Sequence, residues 1–408
     1  MITDSFSQTP TLDWAYSYGS TISDNATAII SDATGNVYVA GQFGGTIDFD
    51  PGPGIFTMSS TTGGPDAYVS KFDDNGNFLW ARQIPGPGAG VFSLAIDNAG
   101  DVFVSGVENG NAFIARIDPN NNLVWTDQFE NTDRLMIAVD AAGDVYATGS
   151  FFNTVDFDPG AGVFNLSAVD QASFVLKLDI NGKFVWAFQI DNLGANSNPG
   201  RGIVTGQSGD VYVSGALSQP ADFDPSSSVF TLPTNGSDIF IAKYDADGNL
   251  IWAKNISGNG TINNYDITTD ASENIFLTGS FAGTIDFDPS SGALNLSSGG
   301  SQNNTYVLKL DRNGNFIWAK NIASPGENWA YSIACDNFGN IYTTGFFGGV
   351  TDFDPGSGTF NLNTTGGTSY DVFIWKLDNS GDLVSALPLG SVNYDLGLAI
   401  AIDPLGKI

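Results

Sequence analysis

A sequence block that recurs along the whole chain constrains the fold more than any other feature. The block first occurs as D-A-T-G-N-V-Y-V-A-G at 32–41, and its later copies end at Gly106, Gly149, Gly215, Gly279 and Gly345. A second block, K-F-D-D-N-G-N-F-L-W-A at 71–81, returns around Trp125, Trp186, Trp252 and Trp318 and, with Ser385 in place of the tryptophan, at 376–386. Successive glycines are 65, 43, 66, 64 and 66 residues apart. A period of this kind is typical of repeat architectures, in which each repeat is one structural unit.

Each repeat is predicted to form four strands. In the first repeat they are expected at about 26–31, 36–43, 67–72 and 77–84, which are rich in Val, Ile, Tyr, Phe and Trp and are bounded by turn residues. Two D-x-x-G-N segments, 32–36 and 73–77, join them in pairs. Such segments suit tight hairpins in which Asp caps the turn and Gly takes the positive-φ position.

The predicted strands are apolar on both faces. In the strand that ends the first repeat, Phe78 and Trp80 point one way while Leu79 and Ala81 point the other. A sheet with two apolar faces must be covered on both sides. Four-stranded antiparallel units that cover one another in sequence are the blades of a β-propeller. A β-helix rung would be much shorter than this period, and separate sandwich domains would expose one face of each sheet. The sequence therefore predicts an all-β chain that folds as a β-propeller.

The repeats account for the chain as a single domain over 1–408. Their approximate limits are 26–84, 91–129, 135–190, 202–256, 265–322 and 330–387. A further first-type strand is expected at 398–403 and a further fourth-type strand around Trp14. We therefore predict six full blades and an incomplete seventh, formed by 12–18 and 395–408 and closed by the N-terminal strand. The seventh blade lacks its two middle strands, so the chain is interpreted either as a seven-bladed ring whose last blade is incomplete or as a fragment of a longer protein.

These repeats resemble the SBBP family of seven-bladed β-propeller proteins. The resemblance lies in the motifs G-N-V-Y-V-A-G, G-T-I-D-F-D-P-G and K-F-D-x-N-G-N-F-L-W and covers essentially the whole chain. It implies a secreted or surface-exposed bacterial protein, and it implies no catalytic residues. Two repeats depart from the pattern: the short second repeat lacks D-F-D-P, and the sixth lacks the tryptophan.

Composition excludes several classes of function. The chain has no His, which removes His-based catalysis and His-ligated metals, and a single Cys335, which removes disulfides and thiolate zinc clusters. The formal net charge of -30 argues against nucleic acids and anionic membranes as partners. No apolar run approaches the roughly 20 residues of a membrane-spanning helix. The start of the chain lacks the basic-then-apolar pattern of a signal peptide, so an exported protein would have a signal that was removed or lies outside this chain.

Five repeats carry a D-F-D-P motif in the long connection between their second and third strands. The paired carboxylates are Asp48 and Asp50, Asp156 and Asp158, Asp222 and Asp224, Asp286 and Asp288, and Asp352 and Asp354. In an extended segment both Asp side chains lie on one side and the Phe can anchor on the other. Two interpretations remain open. Hard oxygen ligands held close together suit calcium, the one cofactor that the pattern indicates. Alternatively, each Asp caps a turn made by the following Pro-Gly.

Two further sets of side chains recur at fixed positions. Aromatic residues at the entry to first-type strands are predicted to bind a ligand at the rim that carries the long loops, where rings can stack on sugars; buried plugs between blades are the alternative. These residues are Phe92, Tyr265, Trp329 and Tyr331. Six basic residues stand two positions before the Asp of the second hairpin and are expected to pair with that Asp rather than to form a ring for an anion. They are Lys71, Arg116, Lys177, Lys243, Lys309 and Lys376.

The function that these patterns favour is a non-catalytic extracellular or cell-surface scaffold for binding or adhesion. Its long-loop rim would contact a glycan or a protein, with calcium as a stabiliser. A structural module completed by strand exchange is the second interpretation, because an incomplete blade leaves strand edges unpaired. A carbohydrate-active enzyme that uses Asp pairs is the third. Every D-F-D-P copy looks alike, whereas an active site is a single unlike constellation, so the enzyme interpretation is the least favoured.

Overall fold

The computed structural model describes residues 12–61, 64–86, 88–192, 199–300, 302–324, 326–366 and 369–408. All regular structure in these ranges is β-strand, and none of it is helix. Accordingly, the described residues contain no helix that is long and apolar enough to cross a membrane.

The first repeat forms one four-stranded antiparallel sheet and one small side hairpin. Its strands are β1 (Asn25–Ser31), β2 (Val37–Phe43), β3 (Thr46–Asp48), β4 (Thr57–Ser59), β5 (Asp66–Phe72) and β6 (Phe78–Ile84). The sheet has the order β1-β2-β5-β6, and β3 pairs with β4. The limits of the four sheet strands lie within one residue of those predicted, which confirms the strand assignment for this repeat.

The same sheet recurs five more times in the described residues. Strands of the second and third repeats are β7 (Gly90–Ile96), β8 (Val102–Glu108), β9 (Asn111–Ile117), β10 (Leu123–Phe129), β11 (Thr132–Val139), β12 (Val145–Asp156), β13 (Asn165–Leu178) and β14 (Phe184–Asn192). Those of the fourth are β15 (Gly200–Thr205), β16 (Val211–Leu217), β17 (Ala221–Asp222), β18 (Thr231–Leu232), β19 (Asp238–Tyr244) and β20 (Leu250–Thr269). Those of the fifth and sixth are β21 (Ile275–Asp286), β22 (Asn295–Ser297), β23 (Asn304–Leu310), β24 (Phe316–Asn321), β25 (Asn328–Cys335), β26 (Ile341–Gly348), β27 (Val350–Asp352), β28 (Asn361–Asn363), β29 (Tyr370–Leu377) and β30 (Leu383–Leu389).

Strand β20 belongs to two sheets, because its first part pairs with β19 and its second part pairs with β21. It is therefore both the fourth strand of one repeat and the first strand of the next.

The sheets follow one another around a closed circuit. The first strands of successive repeats contact each other, from β1 through β7, β11, β15 and β20 to β25. The C-terminal segment links the sixth repeat back to the first: Ile400 N donates to Ser332 Oγ (3.3 Å), and Ser31 Oγ donates to the carbonyl of Ile402 (3.0 Å). Strands β5, β19 and β23 are buried along their whole length, so those sheets are covered on both faces. This arrangement is a β-propeller, as predicted.

The repeated glycine of the second strand is required by a β-bulge in the first strand. Each first strand has a register shift opposite this glycine, for example between Asn264 and Asp266. A Cβ added to Gly279 would lie 1.9 Å from the carbonyl oxygen of Asn263, and one added to Gly345 would lie 1.8 Å from that of Trp329. The equivalent contact recurs at Gly41, Gly106, Gly149 and Gly215. Only glycine allows the bulged backbone to approach this closely.

The segments 12–18 and 398–403 form no strands in the structure, and the prediction of strands there was wrong. They would be the first and fourth strands of one blade, which are not neighbours in a four-stranded sheet. Without the two middle strands between them, neither segment has a ladder partner. The N-terminal segment nevertheless occupies the predicted place. A Cβ at Gly76 would lie 2.8 Å from the Trp14 ring. The equivalent contact further along the chain is that of a Cβ at Gly314, which would lie 3.1 Å from the ring of Trp252 in the preceding repeat.

The bulge makes a specific prediction about stability. Replacement of Gly279 by Ala forces a methyl group against a backbone carbonyl that cannot rotate away. We expect the free energy of unfolding to fall by about 1–3 kcal/mol, as measured by urea denaturation. Gly300→Ala is the control, because an added Cβ there meets no atom within 4 Å. Equal effects of the two substitutions would contradict the role assigned to the bulge.

Candidate functional site

The rim that carries the short hairpins is built from turns that use their own carboxylates. In the turn that begins at Asp311, the backbone N–H of Asn313 and that of Asn315 both donate to Asp311 Oδ1 (2.8 Å each). The same pair of bonds recurs at Asp32, Asp73, Asp97, Asp118, Asp140, Asp179, Asp245, Asp270, Asp336, Asp378 and Asp403. The Asn77 side-chain amide and its backbone N–H lower the pKa of Asp73. These turns confirm the predicted capping. Most of the carboxylates on this rim therefore stabilise the fold.

Each D-F-D-P motif lies at the tip of a side hairpin, and its carboxylates cap that tip. In the first repeat, Asp48 Oδ1 accepts the N–H of Asp50 (3.1 Å) and that of Phe56 (2.8 Å), and Asp50 Oδ1 accepts the N–H of Gly52 (2.8 Å). The first of these carboxylates makes the same two bonds in all five copies. The contacts are those of the turn-capping interpretation. In the described part of the chain, no three or more His, Cys, Asp or Glu side chains cluster so that they could hold a metal ion.

The phenylalanine of the motif joins neighbouring repeats. The five rings are buried, as predicted, at Phe49, Phe157, Phe223, Phe287 and Phe353. The Phe157 ring centroid lies 6.1 Å from that of Phe129, on the last strand of the preceding repeat. Phe49 makes the equivalent contact with Tyr18 of the N-terminal segment, at 5.4 Å. The motif is therefore a contact between repeats, and its five copies do not form one site.

Four of the six recurrent basic residues contact a different Asp from the one predicted, while Lys309 donates to the carbonyl of Asn379 and Lys376 lies over the Tyr342 ring. Lys71 Nζ lies 3.5 Å from Asp32 Oδ2 and 4.7 Å from the centroid of the Tyr38 ring. Lys177 likewise pairs with Asp144 at 3.1 Å, and Lys243 with Asp210 at 2.8 Å. The prediction placed the partner two residues further along the same strand. The actual partners come from the first hairpin of the same repeat, because Lys71 is in register with Tyr38 on the neighbouring strand. No ring of free cations results.

The structure brings three of the four predicted ligand-binding aromatics together. The rings of Tyr265 and Trp329 stack with centroids 5.8 Å apart and an interplanar angle of 16°, and Tyr331 lies 5.5 Å from Tyr265 and 6.2 Å from Trp329. All three are half-buried. Phe346 stacks on Trp329 at 6.0 Å and contacts Tyr370 at 4.8 Å. We call these five residues the rim cluster. They lie where strands begin or end on the rim of the long loops.

Phe92 does not join the rim cluster. It is the extra residue of the bulge in β7, as Tyr265 and Tyr331 are in their own first strands. Its repeat stands three places before that of Tyr265, and no aromatic ring contacts it among the described residues. The sequence therefore aligned Phe92 correctly with Tyr265 and Tyr331. Equivalent positions in distant repeats are not neighbours in space, however, so Phe92 lies apart from the other rings.

Glu327 fixes the orientation of the rim cluster. Trp329 Nε1 donates to Glu327 Oε1 (2.9 Å), and the Tyr370 hydroxyl donates to Glu327 Oε2 (3.2 Å). One carboxylate therefore holds two rings that come from different strands. Sequence reasoning missed Glu327, although it is one of only four glutamates in the chain.

Two arginines adjoin the rim cluster, and the sequence prediction also missed them. Arg201 is the extra residue of the bulge in β15, and Arg134 lies within the bulge in β11. Burial lowers the pKa of the Arg201 guanidinium and so does the charge of Arg134, while Tyr265 and Asp133 raise it. Arg201 stands five residues before the first hairpin of its repeat, as Phe92, Tyr265 and Tyr331 do in theirs. The alignment missed it because this hairpin begins with Gly206 instead of Asp.

Asp266 is a buried carboxyl next to this region. Its Oδ2 accepts hydrogen bonds from Ser332 Oγ and from the backbone N–H of Ile333, both at 2.9 Å. Burial raises the pKa of Asp266 to about 6, against the lowering effect of these bonds. Since Ile400 N also donates to Ser332, this carboxyl connects the fifth repeat, the sixth repeat and the C-terminal segment.

Comparison with known proteins adds a distant relative and structures of low similarity. No family model matches the chain. An uncharacterized WD repeat-containing protein, L264, from Acanthamoeba polyphaga mimivirus is 24% identical over 259 residues, which are 54% of this chain and 18% of the length of that relative. A Bacteroides caccae protein of unknown function is 10% identical with a TM-score of 0.40, covering 79% of this chain and 90% of its own. For the Dos1 propeller the identity is 10% and the TM-score 0.41, with coverage of 80% and 91%.

The midpoint of thermal unfolding tests whether the D-F-D-P motifs bind calcium. Because the first Asp of each D-F-D-P motif already accepts two backbone N–H groups, we expect the same midpoint in millimolar calcium and in excess EDTA. Binding at 100 times the dissociation constant would add about 2.7 kcal/mol per site. A calcium-dependent rise that Asp48→Asn with Asp50→Asn reduces would contradict this expectation and establish a metal site.

Asp266 is expected to make stability depend on pH. Its folded pKa of about 6 lies above the ordinary value of 3.8, so the folded state binds the proton more tightly than the unfolded state does. The contribution to stability is therefore present at about pH 4 and is lost as the pH rises through 6. Between pH 4 and 7, the wild type should lose about 2–3 kcal/mol relative to Asp266→Asn. Denaturant titrations at each pH measure this difference, with Asp247→Asn, an exposed turn residue, as the control. Parallel pH profiles would contradict it.

Proposed function

We propose that this chain is a non-catalytic binding module that presents the rim cluster to a glycan, outside the cell or at its surface. The observation that carries the proposal is the stacked pair Tyr265 and Trp329, half-exposed where two first strands begin. Aromatic rings in such positions offer an apolar face with a polar edge, which suits the apolar face of a sugar ring. The location outside the cell follows the resemblance to the SBBP repeats and the acidic, disulfide-free composition.

The fixed geometry of the rim cluster supports binding. Glu327 already holds Trp329 and Tyr370 by hydrogen bonds in the free protein. Rings that are ordered before binding lose little side-chain freedom when a ligand arrives, so more of the contact energy contributes to affinity. The cluster also lies on the rim of the long connections, where binding residues on a rigid scaffold usually lie.

The proposal treats the ring as seven-bladed, with six full blades and a seventh made of the two unpaired segments.

Strand exchange is the second candidate function, and a specific observation favours it. Strand β29 is buried on alternate residues only, whereas β5, β19 and β23 are buried throughout. A two-stranded hairpin from another chain would cover the open face of the sixth repeat. Sedimentation velocity over a range of concentrations would detect exchange between copies, and a monomer throughout would contradict it.

The contacts of the Asp pairs support a binding module rather than a glycosidase. Glycoside hydrolysis needs one carboxyl that is protonated and one that is free to attack or to activate water. In every D-F-D-P copy the first carboxylate is occupied by backbone donors of its own loop. All five copies share this state, and no copy stands out as an active site.

Removal of the stacked ring tests the proposed function. We expect Trp329→Ala to weaken binding to the glycans that the wild type selects on a printed array by about tenfold or more, equivalent to about 1.4 kcal/mol. Isothermal titration with the best ligand gives the value. Phe338→Ala is the control, because this ring is 84% exposed on the opposite rim. An array on which the wild type binds no glycan, or a best ligand that Trp329→Ala binds unchanged, would overturn the proposal.

A further inference from the structure

The rim cluster has two arginines on one side, and among the described residues neither forms an ion pair shorter than 4 Å, although Asp133 interacts electrostatically with Arg201. Arg134 and Arg201 both interact electrostatically with the phenol of Tyr265. Within the described residues, no carboxylate oxygen lies within 4 Å of either guanidinium, although ion pairs of that length occur at Lys71, Arg116, Lys177, Lys243, Lys320 and Lys407. In a chain with 44 acidic and 14 basic residues, two neighbouring arginines without a close ion pair are a local concentration of positive charge.

Buried polar atoms beside Tyr265 also lack partners. Arg201 Nε is inaccessible to solvent and has no hydrogen-bond acceptor, the Tyr306 hydroxyl is inaccessible and has no partner, and Asn264 Oδ1 is inaccessible and has no donor. Tyr306 is fully buried and its phenol interacts electrostatically with that of Tyr265. Buried polar groups in native proteins almost always have a partner, and an unpaired one indicates a missing water or ligand. Arg201 Nε can only donate and the Tyr306 hydroxyl can donate, so one acceptor group would suit both.

We propose that the rim cluster binds an acidic glycan, with the sugar ring on Tyr265 and Trp329 and the sugar carboxylate on Arg201 and Arg134. This inference rests on the proposed function and names its ligand class. A planar guanidinium presents a fork of N–H donors that matches a carboxylate, and the partly buried setting strengthens the pair. Stacked aromatics alone would accept neutral sugars, so the arginines are what selects the acid.

The arrangement also explains why two arginines are needed. The net charge of -30 opposes the approach of any anionic ligand. A local pair of cations offsets this repulsion at one place on the surface.

The test compares ligands that differ only at the carboxyl group. The probes are printed uronic-acid and sialic-acid glycans, each beside its carboxyl methyl ester, which keeps the shape and removes the charge. We expect the acids to bind about tenfold or more tightly than their esters, in line with about 1.5–3 kcal/mol for a hydrogen bond to a charged group. Arg134→Gln and Arg201→Gln should each remove most of this preference. Arg134 is exposed, so its substitution is not expected to disturb folding.

Two controls make the outcomes separable. Arg312→Gln removes an equal charge from an exposed turn on the opposite rim and should leave the preference unchanged. Equal binding of acid and ester, or a preference that survives both substitutions in the cluster, would overturn the inference while leaving glycan binding intact. A preference lost equally in Arg312→Gln would show a general charge effect and would also overturn it. Binding of no glycan at all would overturn the proposed function as well.

Discussion

The close approach of a bulged first strand to a glycine of the second strand is the constraint on which the rest of this structure depends. It recurs in all six four-stranded sheets, with carbonyl oxygens that leave no room for a Cβ. The bulge adds one residue where each first strand begins, and glycine is what permits it. The extra residue is free to differ between repeats, as Phe92, Arg201, Tyr265 and Tyr331 do. A fixed backbone feature thus supplies a variable position in every repeat, and Arg201, Tyr265 and Tyr331 of the candidate site occupy such positions.

The aspartates, which account for most of the negative charge, are mostly part of the scaffold. In the short turns and in the D-F-D-P tips, carboxylates accept backbone N–H groups of their own loops. Such bonds satisfy donors that a tight turn cannot pair otherwise. The large negative charge is therefore a by-product of turn chemistry repeated many times. The groups of the proposed site are two arginines without a close ion pair, one glutamate and a group of aromatic rings, and none of them belongs to this turn chemistry.

Sequence reasoning succeeded where a residue type determines its own local structure. The D-x-x-G turns, the four strands of the first repeat and the buried phenylalanines all depend on short-range chemistry. It failed where the partner lies on another strand or in another repeat: Lys71 pairs with Asp32 across the sheet, which the spacing along one strand could not show. Arg201 escaped notice because Gly206 replaces the turn aspartate in its repeat. Glu273 of the next repeat supplies the missing acceptor to Ser208 N (3.0 Å), and no local pattern predicts such a substitution.

Between the sixth repeat and the first, the circuit is closed by the segments 12–18 and 395–408, which pack through side chains and form no hydrogen-bonded ladder. This sector differs in that respect from the six four-stranded sheets. Trp14 covers the hairpin glycine Gly76, and Tyr18 contacts Phe49, as the equivalent rings do between other repeats. Between the two segments themselves, the ion pair of Lys407 with Asp13 at 3.3 Å is largely exposed and adds little. Elsewhere the sheets contribute continuous ladders in addition to the same ring contacts. Because a region with few backbone bonds opens first, this sector is where the ring is easiest to open. The rim cluster lies next to it, since the ring of Tyr370 in the sixth repeat contacts that of Tyr394 in the C-terminal segment at a centroid distance of 5.3 Å. A ligand on the rim cluster would therefore bind beside the sector that holds the ring closed.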